Sequence, residues 1–280
     1  MRSDFDGHRD VWGPLLAMQL RTWSETVFKP ASLLRQIGLF RPSVIGEPPP
    51  DYRFIGGGAT ISRNYPGLNL LDKLPESYER LKQFDVVAAE YRSIVEPFSS
   101  AIFQEVLNLL SPHLVSHARL LDVGCGPGTE VMQLAGEVPE GEVIGVDLST
   151  EMIKKASRNC HQARLSNTAF FQCDTHNLPN EWDESFDAAL CMLSFHFFQD
   201  AETVLKEFLR ILSPGGMALI ADPGSEWFNT ISTPLLELAN PAFVKYRTGK
   251  EFIELLDRTG FSNSYWVEVL PGMGVAVARK

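Results

Sequence analysis

The sequence predicts an α/β fold in which helices cover both faces of a mostly parallel sheet. Residues 120–130 (LLDVGCGPGTE) are typical of a buried strand that runs into a glycine turn and then into a helix. Three more apolar strands follow, at 142–147, 168–173 and 186–193, and a helix is predicted at 201–212. Strands that alternate with helices are typical of parallel sheets, which bind ligands at the carboxyl ends of their strands.

The glycine turn is the most informative part of the chain. Glycines stand at alternate positions 124, 126 and 128, and without a Cβ they allow a sharp turn and a close approach to a ligand. A dinucleotide pattern G-x-G-x-x-G would need glycine at Thr129, and a P-loop would need a lysine after the glycines. Neither phosphate-binding pattern fits. The glycine pattern therefore predicts either a binding site for another small ligand or a tight strand-to-helix turn that binds nothing.

The turn forms the pattern L-L-D-x-G-C-G-x-G-T, which resembles motif I of the class I S-adenosylmethionine-dependent methyltransferases. The resemblance continues in register over about residues 80–280, with Asp147 and Asp174 ending the second and third strands. Residues 213–216 (SPGG) resemble the L-x-P-G-G segment that precedes strand five in the family. The resemblance implies a Rossmann-like three-layer sandwich. Its sheet would have seven strands, mostly parallel, with the last strand antiparallel.

The resemblance also implies that S-adenosylmethionine is the cofactor, bound at the strand ends. Asp147 would accept both ribose hydroxyls through charge-assisted bonds of about 1.5–3 kcal/mol each, and Asp174 would face the adenine amino group. Either carboxylate could instead cap a helix. Tyr91, in an F-D-x-x-A-x-x-Y element, would line the cavity or simply pack in its helix. The expected cofactor-binding residues are Tyr91, Asp122, Gly124, Cys125, Gly126, Gly128, Asp147, Leu148, Met152, Asp174, Thr175 and Leu193.

Catalysis by such a protein depends on alignment, because a sulfonium methyl group is already activated. Alignment and exclusion of water contribute up to about 7–11 kcal/mol in favourable cases. Where the acceptor must lose a proton, His196 is the first candidate for a base because it follows the fourth strand. His176 is the second candidate. The alternative for His196 is a packed wall residue, since phenylalanines flank it at 195, 197 and 198.

Aromatic residues near the predicted strand ends favour an apolar or aromatic small-molecule acceptor; they are Phe195, Phe197, Phe198, Trp227 and Phe228. The last helix and hairpin, at 251–280, loosely resemble the ubiquinone/menaquinone-type group, which methylates carbon or oxygen of small acceptors. The [DN]-P-P-[YF] element of enzymes that methylate nucleobase amines does not follow strand four, so nucleobase N-methylation is not expected. The metal-binding acid of catechol enzymes does not follow this strand either, so no metal is expected. The alternative is a protein of this fold that catalyses another reaction, such as a cyclisation, or serves as a binding subunit.

Composition limits the partners and the location. The formal net charge of −10 disfavours a nucleic-acid partner, because phosphate binding needs clustered lysine and arginine. The four cysteines show no C-x-x-C spacing and are expected to be free core residues in a reducing compartment. No apolar run approaches the roughly 18 residues of a spanning helix, and the N-terminus lacks a signal-peptide pattern. A cytoplasmic protein is therefore expected.

The chain divides near residue 76 into an N-terminal extension (1–76) and a methyltransferase domain (77–280). Apolar residues recur at helical spacing within 11–28 and 32–40, so the extension is predicted to be helical. Its helices could pack on the domain as a lid, pair two copies into a homo-oligomer or rest on a membrane surface.

Overall fold

The computed structural model describes residues 44–45, 91–239 and 242–280. The helices predicted at 11–28 and 32–40 lie outside these residues. The strands are β1 (Val44–Ile45), β2 (Arg119–Val123), β3 (Glu142–Asp147), β4 (Thr168–Gln172), β5 (Phe186–Met192), β6 (Leu212–Pro223), β7 (Ser262–Leu270) and β8 (Met273–Arg279). The helices are α1 (Tyr91–Leu110), α2 (Thr129–Glu137), α3 (Thr150–Gln162), α4 (Ala201–Ile211), α5 (Glu226–Ala239) and α6 (Gly249–Thr259).

The strands form a single mixed sheet in the order β1-β7-β8-β6-β5-β2-β3-β4. Strands β2 to β6 pair in parallel, whereas β8 lies antiparallel between β6 and β7. The predicted sandwich with an antiparallel last strand is thereby confirmed. The sequence did not predict β1, two residues that pair antiparallel with β7 at the sheet edge.

Two apolar cores lie between the sheet and the helices on its two faces. Side chains of α1, α2 and α3 pack on one face, and those of α4 and α6 pack on the other. All residues of β2 and β5 are buried, as expected for central parallel strands covered on both faces. All four cysteines are free and buried. Among the described helices, none combines the length and the apolar character that crossing a membrane requires.

One predicted turn is part of a strand. The sequence places 213–216 before strand five, but β6 already begins at Leu212. The segment is held in the sheet from the far end of the chain: Gly215 N–H donates to the Lys280 carbonyl at 3.3 Å, and Lys280 N–H donates to the Gly216 carbonyl at 3.0 Å. A register shift between Phe186 and Ala188 of β5 lies opposite this segment.

Candidate functional site

A cleft opens at the carboxyl ends of the central strands. Seven residues that the sequence predicts to bind a cofactor line it: Gly124, Gly126, Asp147, Leu148, Met152, Thr175 and Leu193. Four further residues complete the described lining: Ser149, Ser194, Phe197 and Phe198. The described lining contains one carboxylate and no lysine or arginine.

Asp147, at the end of β3, holds two loops together beside the cleft. Its Oδ2 accepts from the N–H of Gly126 at 2.9 Å, and its Oδ1 accepts from the N–H of Ser149 at 2.8 Å. The helix cap predicted as an alternative for Asp147 is provided by Ser149, whose hydroxyl accepts from Met152 N–H at 3.1 Å. Each carboxylate oxygen can accept more than one hydrogen bond. Asp147 can therefore position the glycine turn and still accept hydroxyl groups of a ligand.

The glycine turn passes close to the segment that follows β5. The N–H groups of Gly124 and Cys125 donate to the Val146 carbonyl at 2.8 Å and 3.0 Å, which fixes the turn to β3. Gly124 has φ +69°, and a Cβ there would overlap the side chain of Ser194. Ser194 in turn donates to the Val123 carbonyl at 3.2 Å. Position 124 thus requires glycine for both conformation and space.

Replacing Gly124 with alanine is expected to destabilise the fold by about 2 kcal/mol or more, because left-handed backbone and overlap with Ser194 both oppose a Cβ. Gly136→Ala is the matched control. Gly136 lies exposed in α2, where a Cβ would meet no other atom within 4 Å, so alanine should stabilise the chain by about 0.5–1 kcal/mol. Chemical denaturation measures the free energy of unfolding of both variants. Equal values for the two variants would contradict this account of the turn.

Asp122 lies beneath the turn with its carboxyl group buried and only 1% exposed. Neither carboxyl oxygen has a hydrogen-bond partner among the described residues. Burial, followed by the nearby charges of Glu130 and Asp147, raises the pKa of Asp122 well above its ordinary value. A cation bound near the turn would stabilise the ionised carboxylate. The acidic surroundings and the absence of basic residues from the described lining favour a positively charged ligand over a pyrophosphate.

Asp174, after β4, is bonded to His176, the second histidine that the sequence offers as a base. Its Oδ1 accepts from the backbone N–H of His176 at 3.0 Å and lies 2.7 Å from His176 Nδ1. Burial acts to raise the pKa of Asp174, but the bonds from His176 outweigh it and leave the pKa lowered. The bond to Asp174 raises the pKa of His176. Neither residue is in the described lining; Thr175 between them is.

His196 lies in the short turn after β5 and is oriented by a buried carboxylate. Its Nδ1 is 2.7 Å from Oδ1 of Asp222, the carboxylate near the end of β6. Within the described residues, the other ring nitrogen, Nε2, has no hydrogen-bond partner. In the neutral ring, the tautomer that donates from Nδ1 to this carboxylate leaves a lone pair on Nε2. This is the arrangement of a histidine that can accept a proton.

The His196 ring also packs among aromatic rings. Its centroid is 4.1 Å from that of Phe197, 4.9 Å from Tyr246 and 6.0 Å from Phe243. Its backbone carbonyl accepts from Val244 N–H at 3.0 Å, tying the turn to the loop before α6. The two roles that the sequence left open, wall residue and base, are thus compatible in one side chain.

The remaining predicted residues lie around the cleft. Tyr91 begins α1, but its side chain lies outside the described part of the structure. Cys125 is buried with its thiol 3.7 Å from the Gly126 carbonyl, and burial raises the pKa of this thiol well above its ordinary value. Gly128 caps α2 with φ +79° and abuts Ala156 of α3. The described residues contain no cluster of three or more His, Cys, Asp or Glu side chains suited to a metal ion.

Sequence reasoning missed two residues of the site, Asp222 and Ser194. Asp222 follows the same rule as Asp147 and Asp174, a carboxylate near a strand end, so the signal was present in the chain. Ser194 had no such signal, because its role depends on Gly124, 70 residues away in the sequence.

Known proteins share the sequence pattern of this domain. A family described as "Methyltransferase domain" matches residues 114–258. The 2-phytyl-1,4-naphtoquinone methyltransferase of Nostoc punctiforme is 30% identical over 183 residues, 57% of this chain and 79% of that protein. An uncharacterised methyltransferase of Bacillus subtilis, YcgJ, is 31% identical over 130 residues, 45% of this chain and 50% of that protein.

Solved structures share the fold. The crystal structure of YcgJ superposes with a TM-score of 0.51 at 25% identity, covering 57% of this chain and 69% of that one. The [4+2]-cyclase SpnF superposes with a TM-score of 0.57 at 18% identity, covering 74% of this chain and 98% of that one. The chain spans half or less of the length of several curated relatives that it matches.

Proposed function

The chain belongs to the methyltransferase domain family, and we propose that it transfers a methyl group from S-adenosylmethionine to carbon or oxygen of a small apolar or aromatic acceptor. The observation that supports this most is the cleft at the strand ends, which is lined by Asp147 and the glycine turn, with Asp122 buried in the strand that leads into that turn. The cleft favours a cation, and His196, although not in the described lining, packs on the lining residue Phe197 and is oriented by Asp222.

The described residues fit this cofactor. Asp147 would accept the ribose hydroxyls while it keeps its bonds to the backbone of Gly126 and Ser149. Leu148 and Met152 offer apolar surface for the base, with Thr175 on the other loop. The glycine turn would receive the amino-acid end. When bound, the cofactor supplies an activated methyl group on a positively charged sulfur.

The chain itself supplies orientation, exclusion of water and proton removal. Phe197 and Phe198 form an apolar side of the cleft where an acceptor would meet the cofactor. His196, whose ring packs on Phe197, would take the proton that a hydroxyl or ring carbon loses, and Asp222 would keep Nε2 free to accept it. The name of the Nostoc relative, a naphthoquinone methyltransferase, agrees with an acceptor of this type.

The charge of Asp122 provides a test of the cofactor assignment. At a pH high enough to ionise Asp122, Asp122→Asn is expected to weaken S-adenosylmethionine binding about tenfold relative to neutral S-adenosylhomocysteine, because it removes a buried charge near the sulfonium. Since the pKa of Asp122 is raised, affinity of the native protein for S-adenosylmethionine should increase with pH as this carboxyl ionises. The Asn variant should lose that dependence.

Asp257→Asn, which alters an exposed carboxylate on α6, is the control for Asp122→Asn. It should keep both the ratio of the two affinities and their pH dependence. If Asp122→Asn weakens binding of the two ligands equally, the proposed electrostatic role of Asp122 is wrong.

The proposed reaction is tested by incubating the protein with methyl-labelled S-adenosylmethionine and a panel of phenols, quinol precursors and lipid-like acceptors. Transfer of label to at least one class of acceptor is the expected result. Tight cofactor binding without transfer to any member would instead favour the alternative, a protein of this fold that catalyses another reaction or acts as a binding subunit. Incubation with nucleic acid is the negative control, since the net charge of −10 argues against such a partner.

A further inference from the structure

Polar groups without partners gather where β6 ends and the loop before α6 begins. Among the described residues, buried side-chain atoms without a hydrogen-bond partner include Oδ2 of Asp222, Oγ of Ser225, Oδ1 of Asn229 and Nη1 of Arg247. Buried polar groups are normally bonded, so such groups call for a physical explanation. Asp222 is bonded to His196 and its charge acts on Arg247, so these two unpartnered groups indicate a place where a ligand supplies the bonds.

Arg247 is the strongest member of this group. Its guanidinium lies 5.4 Å from the centroid of the Phe195 ring, in partly buried surroundings. Burial lowers the pKa of Arg247, opposed by the charges of Asp222 and Glu251. Within the described chain, however, Arg247 forms no ion pair or hydrogen bond with either carboxylate. A guanidinium that is partly desolvated and not directly paired gains strongly from a bound anion.

The carboxylates near Arg247 are bonded to other groups. Asp222 uses Oδ1 for His196, at 2.7 Å. Glu251 lies 2.6 Å from Lys245 Nζ and accepts from Thr248 N–H at 2.7 Å, closing the capping box of α6. These bonds hold both carboxylates in place without engaging the guanidinium. The donor Nη1 of Arg247 therefore remains unused.

Asp222 complements Arg247, because its Oδ2 is an unused acceptor and the Arg247 Nη1 is an unused donor. A ligand that carries a hydroxyl next to an anionic oxygen would satisfy both atoms at once. The rings of Phe243 and Tyr246, which pack on His196, make the surroundings of this region aromatic. Together these features favour a planar aromatic molecule with adjacent hydroxyl and carboxylate groups.

We propose that Arg247 and Asp222 bind the methyl acceptor, and that the acceptor is a small aromatic hydroxy acid. Its carboxylate accepts from Arg247 Nη1 and its hydroxyl donates to Asp222 Oδ2. This binding would place the ring beside His196. The inference rests on the proposed function, because only that function makes the bound acid a methyl acceptor. Binding of the acid itself requires neither the cofactor nor methyl transfer.

The test compares two probes of nearly equal shape, 2-hydroxybenzoate and the uncharged 2-hydroxybenzamide, titrated by calorimetry into the full chain without cofactor. The native protein should bind the carboxylate about tenfold or more tightly than the amide. Arg247→Gln should abolish this preference, whereas Arg247→Lys should retain part of it. Arg258→Gln is the control and should leave the preference intact, because Arg258 is an exposed residue on α6 that contacts Glu202.

Equal affinity of the native protein for the two probes, or no binding of either, would overturn the proposal. A preference that survives Arg247→Gln would overturn it as well. If Arg247→Gln does not fold, the native and Arg247→Lys titrations still decide the outcome, because absence of a preference in the native protein is sufficient to reject it. Titration with S-adenosylmethionine reports separately on the proposed function, so the two failures are distinguishable.

Discussion

Replacing Asp147 with alanine is expected to weaken S-adenosylmethionine binding about tenfold or more, because one or two charge-assisted bonds to the ribose would be lost. The structure adds a second reason. Asp147 also accepts from the backbone of Gly126 and Ser149, so alanine would release the glycine turn and the start of α3 at the same time. Calorimetry measures the affinity, and thermal unfolding measures how far the loops are loosened.

Glu151→Ala is the matched control for Asp147→Ala. It removes a carboxylate from the first turn of α3, where the side chain is 49% exposed and pairs with Lys154. Its affinity should stay close to that of the native protein, since surface pairs of this kind contribute little. Unchanged affinity in Asp147→Ala would refute the assignment of Asp147 to the ribose.

Replacing His196 is expected to lower turnover about 10²-fold or more while cofactor affinity stays nearly intact, as for loss of a general base. His196→Ala would also leave a cavity among Phe197, Phe243 and Tyr246, so His196→Gln is the cleaner variant. Rates and affinities are measured with the best acceptor of the panel. Asp222→Asn should lower turnover in the same direction, because it weakens the bond that orients the ring.

His161→Gln, at the exposed end of α3, is the control for His196 and should keep full turnover. Loss of cofactor affinity together with turnover in His196→Gln would point to a purely structural role. The structure makes this a real alternative, since the His196 carbonyl also holds the loop before α6.

The sheet was predictable because its signals are local. Strands β3 and β5 are mostly apolar segments, and their bounds fall within one residue of those predicted. The strand-turn-helix at 120–130 follows from glycines whose φ values are positive in the structure. The register of carboxylates at successive strand ends then indicated where the cleft lies.

The features that escaped prediction depend on distant parts of the chain. The edge strand β1 is two residues long and gains its partners only from β7. The bond between His196 and Asp222 joins residues 26 positions apart, and Gly124 meets Ser194 only after β2 and β5 pair. No sequence pattern identifies Arg247, because its proposed role depends on a buried donor that has no hydrogen-bond partner in the folded structure. No periodicity or local motif encodes such relationships.

The central claim is that the cleft at the strand ends binds a cationic sulfonium cofactor and not a dinucleotide. Titration of the native protein with S-adenosylmethionine and, separately, with NAD tests it most directly. Saturable binding of S-adenosylmethionine, with no measurable binding of NAD, is the predicted result, since Asp147 and Asp122 favour a cation and the described lining holds no basic side chain for phosphates. Binding of NAD without binding of S-adenosylmethionine would contradict the account.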